Sequence, residues 1–312
     1  NAIFGANARG MNLFSFTAHF GNEEACRLHF KGERDKLGVV CKECGHAEHF
    51  WIKSRWSYEC KKCHHRTSLR SGTIMQGSNL PFLVWYKAMF LISATRKGFS
   101  SKEIQKQLGL KRYEPVWSMV HKLRKAMGNR DARYTLEGMI ELDEGYFTVE
   151  SSEIEKRQGG RGRGAAGKST VSIMAESTPL EDIETGKKSS HCRYFKAKVL
   201  TSHLADEVNG TVQESIDEKS IVFTDDSTSY VDISKYVELH VSERSSEQLT
   251  KETLRWVHIT ISNAKRNLLG NYHKIKGKYL QLYLNEFIYK LNRRYFGERI
   301  FDRLVVASIT GL

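Results

Sequence analysis

Proline is almost missing from this chain, at three residues in 312, which excludes long proline-rich linkers. Long apolar runs are missing too. No stretch reaches the ~18 residues of a membrane-crossing helix, so no membrane partner is expected. The N-terminus lacks a basic segment followed by an apolar one, so no secretory signal is expected. Met11 is a candidate natural start, with the residues before it read as upstream sequence. Cysteine is scarce, at six residues. Four of them stand in two pairs at metal-site spacing, which argues for ligation in a reducing, cytoplasmic compartment and against a disulfide framework. Acidic residues are outnumbered, 36 Asp and Glu against 49 Lys and Arg, for a net charge of +13. Such a balance favours a polyanionic partner, nucleic acid before membrane, because neutralised phosphates release counterions. A basic protein without such a partner is the plainer alternative.

What is present changes in texture along the chain, and the length allows two or three domains. Residues 1–37 read as a helical preamble, with a helix start at Asn22, Glu23 and Glu24. Residues 38–72 are cysteine-rich, aromatic and short-stranded. Residues 80–130 read as helices. Phe82, Trp85, Ala88, Met89 and Ile92 recur at helical spacing, and Ser100 with Glu103 matches a capping box. A third helix is expected from Pro115 to Met127. Strand-like runs begin near Gly138: GMIELDEGYF, VSIMAES, CRYFKAKVL, SIVFTDD and VELHVSE. Between the first two lies KRQGGRGRGAAGKS, expected as a mobile loop or hairpin tip. HLADEVNGTVQESI looks helical, as does the stretch from Trp256 to Arg294, with breaks expected at Gly270 and Gly277.

Cys41-x-x-Cys44 and Cys60-x-x-Cys63 give the strongest local signal. Each pair sets two thiolates on a tight turn, and two turns supply four sulfurs to one Zn²⁺. The segment between them suits a small hairpin, for which zinc replaces the core that so short a unit cannot build. His46, His64 and His65 stand close enough to compete as ligands. Cys26 and Cys192 are read as buried small hydrophobes. Lys61, Lys62, Arg66 and Arg70 form a basic cluster suited to phosphate or simply to water.

The run from Phe99 to Leu110, followed by Tyr113 to Lys125, resembles a helix-turn-helix. Ile104, Leu108, Trp117, Val120 and Leu123 are assigned inward. His121, Lys122, Arg124 and Lys125 are left for DNA.

Two acids stand out in the strand region. Asp143 lies inside an apolar strand, where a carboxylate is costly without a compensating cation. Asp225 closes the run Ile221–Asp225, a common place for a metal ligand; in isolation the turn-forming Asp-Asp is the preferred reading. Glu141 and Glu144 are assigned to the opposite face or to solvent. Some forty residues past Asp225 comes the polar, basic stretch Ser262–His273. Two acids on neighbouring strands plus an oxygen donor from a later helix would make a divalent-metal site of RNase H type, suited to phosphoryl transfer.

The ribbon, RTSLRSGTIM, ELDEGYF, VFTDDSTSY and SNAKRNLLGNYHKIKGKYLQLYLNEFIYKLNRR together resemble the IS-fifteen-ninety-five-type (ISXO-like) insertion-sequence transposases over nearly the whole chain. The resemblance implies a DDE-type catalytic domain over residues 136–312 whose third residue can be Asn. Asp143, Asp225 and Asn263 become the catalytic and Mg²⁺-binding set, with two Mg²⁺ or Mn²⁺ ions, and Asp225 rather than Asp226 is chosen by the spacing to Tyr230. Lys265 and Arg266 become DNA contacts near the scissile phosphate. Asn263 brings no charge, so metal affinity should be weaker than with Glu. Glu243, Glu247 and Glu286 are other candidates for a third acid, and none matches the family position. The partners implied are double-stranded DNA, as terminal inverted repeats and target, and further copies of the chain in a synaptic homo-oligomer. The location implied is cytoplasmic and nucleoid-associated in a bacterium.

The expected fold is α+β and multidomain: a zinc ribbon, a helix-turn-helix-like segment, and an RNase H-like mixed sheet flanked by helices. Two other functions share these features. One is a catalytically inactive, zinc-dependent DNA-binding regulator derived from a transposase, and the other a nuclease without joining activity.

Overall fold

The computed structural model describes residues 11–150, 167–181, 188–201, 205–244, 253–272 and 274–311. Most of the glycine-rich segment, Glu247 and His273 lie outside these. The chain forms two compact units, Asn1–Arg130 with Arg293–Leu312, and Asp131–Asn292. The catalytic span expected at 136–312 is therefore divided, with its last twenty residues folded into the first unit.

In the first unit, α1 (Leu13–His19) and α2 (Glu23–Leu37) start on Asn12 and Asn22, whose side chains accept the N–H of Ser15 and Ala25. Each cap satisfies a donor that a helix start leaves open. A three-stranded antiparallel sheet follows: β1 (His49–Ile52), β2 (Ser57–Cys60) and β3 (Arg66–Ser68). Helix α2 grips it through Arg34, a buried guanidinium that donates to the carbonyls of Ser68 (3.1 Å), Leu69 (2.6 Å) and Ser71 (2.7 Å). The Tyr58 hydroxyl donates to Asp35 at 2.8 Å. Helices α3 (Phe82–Ala94), α4 (Ser101–Gln107) and α5 (Tyr113–Ala132) come next. Glu23 caps α3, taking the N–H groups of Phe82 and Leu83 at 3.0 and 2.8 Å. The unit is completed from the far end of the sequence. There the helix Ile300–Thr310 packs on α2 and α3, and Phe301 joins Phe16, Phe20 and Tyr86 at ring distances of 5.5 to 5.8 Å. Gly311 lies so near α5 that a Cβ there would fall 2.6 Å from that of Ala126.

The second unit is built on a five-stranded mixed sheet. Strands β4 (Met139–Thr148), β5 (Lys168–Glu181) and β6 (Lys188–Leu200) run antiparallel. β7 (Ile221–Asp225) pairs parallel with β4, and β8 (Leu239–Glu243) parallel with β7. The order is β6-β5-β4-β7-β8, an RNase H-like arrangement. Side chains alternate between faces, and each face carries a core. Ile140, Leu142 and Val222 pack on one side with Val208 and Val212 of α6 (Ala205–Ser215). Phe147, Val171 and Ile173 pack on the other with α7 (Arg255–Asn271) and α8 (Leu280–Asn292). Gly270 lies within α7; the helix ends at its cap, Tyr272. The amide of Gln281 bonds Val199 N–H and Ala197 C=O of edge strand β6, and that of Asn292 bonds Phe195 N–H and C=O. Side-chain amides thus occupy backbone groups that an edge strand would offer to another chain. With helix Ile300–Thr310 as α9, this covers the α-helices and β-strands among the described residues.

Candidate functional site

The two Cys-x-x-Cys turns are near copies of one another. The Cys41 carbonyl accepts from Gly45 N–H and the Cys60 carbonyl from His64 N–H, each at 3.0 Å. Both receiving turns need a left-handed residue, at φ +71° for Gly45 and +60° for His64. The four sulfurs converge with all donor atoms within 4.8 Å of one another. Burial opposes ionisation of Cys60, but the N–H groups of Cys63 and Lys62 and the neighbouring thiols bring its pKa down to about 6. Cys63 receives an N–H from His65, yet desolvation and the crowded sulfurs push it up to about 12. A set that holds a thiolate readily at one position and resists further negative charge is relieved by a divalent cation, so Cys41, Cys44, Cys60 and Cys63 fit a closed structural zinc site. Two of the competing histidines lie beside carboxylates, His64 3.5 Å from Glu59 and His65 3.8 Å from Glu43.

The helical segment departs from expectation on one face. In α5 the buried stripe is Val116, Met119, Val120, Leu123, Ala126 and Met127. Arg124 is fully buried and His121 nearly so, so neither presents itself to DNA, and Arg124 is withdrawn from the DNA-binding set. The apolar stripe is wider than a two-residue-per-turn pattern and takes in both polar residues. Trp117, assigned inward, is half-buried and stacks on His121 with ring centres 3.9 Å apart. Burial and Arg124 lower the His121 pKa to about 4. Lys122 donates to the Gln76 carbonyl at 2.9 Å, and Lys125 is exposed. Sequence reasoning missed the exposed basic residues about the turn, Lys102, Lys106, Lys111 and Arg112. The turn is formed by Gly109 at φ +63° and tied by Gln105, which donates to Leu110 and Lys111. The signal was available for Lys111 and Arg112, which directly precede the second helix, at the end where helix-turn-helix units meet DNA.

The acidic site rests on strand register. Glu141 of β4 pairs with Phe223 of β7. Two residues further along each strand, past the last paired position, come Asp143 and Asp225, on the face that Glu141 and Phe223 share. Asp225 in turn pairs with Glu243 of β8. Tyr230, 2% exposed, has its pKa driven well up by burial and then by the charges of Glu144, Asp143 and Asp225. These carboxylates therefore share one electrostatic neighbourhood.

Helix α7 crosses this face. Glu141, 3% exposed, accepts from the N–H of Trp256 at 2.7 Å and of Val257 at 3.1 Å, in the first turn of α7. Its assignment to solvent or the opposite face is corrected by the two-residue period, which sets it on the face of Asp143. Burial raises its pKa to about 7 against the pull of those N–H groups. His258 Nε2 lies 3.5 Å from Asp143 Oδ2. A Cβ at Gly145 would sit 3.2 Å from Ile261, so the glycine permits this close approach. Lys265 lies over the Phe147 ring at 5.7 Å. Asn263 Oδ1 accepts from the exposed Arg266 guanidinium at 2.7 Å. Of the other candidate acids, Glu286 is buried against Lys290 at 2.8 Å. Hard oxygen donors on adjacent strands suit Mg²⁺ or Mn²⁺. His258 was not singled out by sequence; its signal was its place seven residues before Lys265, on the same side of a helix.

Among the described residues no helix is long and apolar enough to cross a membrane. The family model of the ISXO2-like transposase domain matches residues 135–292, and that of the transposase zinc-ribbon domain matches residues 21–66. No curated protein matches the chain.

Proposed function

The chain belongs to the family of ISXO2-like transposases, and from that premise we propose that it cuts the ends of an insertion sequence and joins them to target DNA. The observation that carries this reading is the parallel pairing of β4 with β7 in the sheet that α7 crosses, with Asp143 and Asp225 each two residues past the paired Glu141 and Phe223. The third protein donor comes from α7, where the family resemblance points to Asn263. Two divalent ions, Mg²⁺ or Mn²⁺, held by these residues would activate the nucleophile and stabilise the leaving oxygen.

In the first step a water oxygen bonds to the phosphorus at the element's end, and the bond from phosphorus to the 3′ oxygen breaks. A free 3′-hydroxyl and a 5′-phosphate result. In the second step that hydroxyl attacks a target phosphodiester in line and expels the target's own 3′ oxygen. No covalent link to the protein is needed. Lys265 and Arg266 lie on the helix that would meet the scissile strand. The exposed lysines and arginines around Gly109, with Lys122 and Lys125, would grip the duplex, and the zinc ribbon would add contacts to the terminal repeats. Both transposon ends must be held together, so the working form is a homo-oligomer.

The test incubates the purified protein with Mg²⁺ and a plasmid carrying the native flanking DNA, beside Asp143→Ala. Breaks and joined products from the wild type alone support the reading. Breaks without joined products point to a nuclease. If both proteins bind DNA and neither breaks it, the chain is a zinc-dependent DNA-binding regulator.

A further inference from the structure

We propose that His258, rather than Asn263, is the third protein donor of the divalent-metal centre at Asp143 and Asp225. This rests on the metal-dependent reading above and identifies the α7 residue that serves it.

The helix geometry separates the two candidates. Successive residues of an α-helix turn by about 100°, which puts His258 and Asn263 about 140° apart around α7. Val257, Ile261, Ala264 and Leu268 form the buried stripe of that helix. His258 and Asn263 stand on opposite margins of it. The margin holding His258 is the one laid along β4. His258 meets Asp143, Ile261 meets Gly145 and Lys265 meets Phe147, and residues 143, 145 and 147 share one strand face. His258 Nε2 is already 3.5 Å from Asp143 Oδ2, with their side chains 35% and 16% exposed. That spacing lets one cation accept both atoms with small side-chain movements. The Asn263 amide oxygen instead takes a charge-assisted hydrogen bond from Arg266, which it would have to give up before ligating anything.

The opening turn of α7 supports the placement. Glu141 sits two residues before Asp143 on the same face and holds the N–H groups of Trp256 and Val257. One strand thus carries both the cap of the helix and the carboxylate facing that helix's fourth residue, His258. An imidazole nitrogen also changes ion preference. Mg²⁺ favours oxygen donors, whereas nitrogen suits transition ions, so Mn²⁺ should be preferred to Mg²⁺.

The experiment loads the full chain with zinc, adds Mn²⁺, and records electron spin-echo modulation together with Mn²⁺ affinity. A directly bound imidazole nitrogen imprints ¹⁴N modulation on Mn²⁺; an amide oxygen does not. The expected result is ¹⁴N modulation in the wild type and in Asn263→Ala, and its loss in His258→Ala with affinity weakened by about tenfold or more. Wild-type protein that binds Mn²⁺ without ¹⁴N modulation would overturn the proposal. So would modulation that survives in His258→Ala, or a wild type that binds no Mn²⁺. The wild-type spectrum needs no variant, so misfolding of His258→Ala would not shield the idea. Plasmid joining by the same preparations separates the two claims. Modulation without joining leaves His258 a ligand and removes the transposase reading; joining with Mn²⁺ but without modulation does the reverse.

Discussion

The zinc ribbon and the carboxylate site recruit metal ligands in opposite ways. The ribbon draws four sulfurs from 23 consecutive residues, Cys41 to Cys63, and brings them within 4.8 Å of one another. Asp143 and Asp225 stand 82 positions apart in sequence and are brought onto neighbouring strands by the parallel pairing of β4 with β7. Among the described residues, the four cysteines are the group of potential ligands that converges this closely. A closed shell is a folding device, complete once the metal is in. A site for chemistry must keep positions for water and substrate. The ribbon's four ligands all come from the protein, whereas the proposed site at Asp143 and Asp225 would be completed by ions and DNA.

Breaking the ribbon should have the largest effect. Structural zinc contributes on the order of 10 kcal/mol to small metal-dependent units. Chelation, or Cys60→Ser, should unfold β1 to β3 and abolish DNA binding while the sheet of residues 131–292 persists. Hydrogen exchange resolved by segment would show this; equal loss of protection in both units would refute the separation. Next comes Asp225→Ala. Removing a metal-binding carboxylate forfeits several kcal/mol of transition-state stabilisation, or about a thousandfold in joining rate. DNA affinity and melting temperature should stay near wild type, which gel shift and calorimetry would check.

A smaller effect concerns acid. Burial and Arg124 hold His121 at a pKa of about 4, below its ordinary 6.5. The unfolded chain then binds more protons than the folded one between those values. Stability present above pH 6.5 should fall as pH drops toward 4. In denaturant titrations His121→Leu should flatten that part of the pH slope, and an unchanged slope would place its origin elsewhere. The smallest effect tests the likeness of the two knuckles. His64→Gly makes the second turn match Gly45. It should change zinc-bound stability by less than about 1 kcal/mol, upward if relief of the left-handed residue exceeds the added freedom of the unfolded chain.

The ribbon was legible in the sequence because spacing alone fixes a Cys-x-x-Cys turn. The caps at Asn22 and Ser100 were legible for the same reason, a cap being a contact across three residues. Asp143 stands out as a candidate because a charge in an apolar strand demands an explanation. What failed to show was decided by partners distant in sequence. Arg34 is buried because three carbonyls from residues 68–71 receive it. Arg124 was assigned to the surface by its charge, yet it lies with the apolar stripe of α5. Glu141 is held inside by the start of a helix more than a hundred residues later. His258 becomes conspicuous only when α7 is laid against β4.

The first unit takes its last helix, α9, from residues that follow the whole of the second unit. A ribosome therefore finishes the five-stranded sheet before releasing the segment that closes the aromatic cluster of Phe16, Phe20, Tyr86 and Phe301. Any product cut short before residue 300 would carry a finished sheet beside an N-terminal half with those rings uncovered. Such fragments would be marked for degradation by their own exposed surface, so only chains translated through α9 would reach DNA in a form able to hold it.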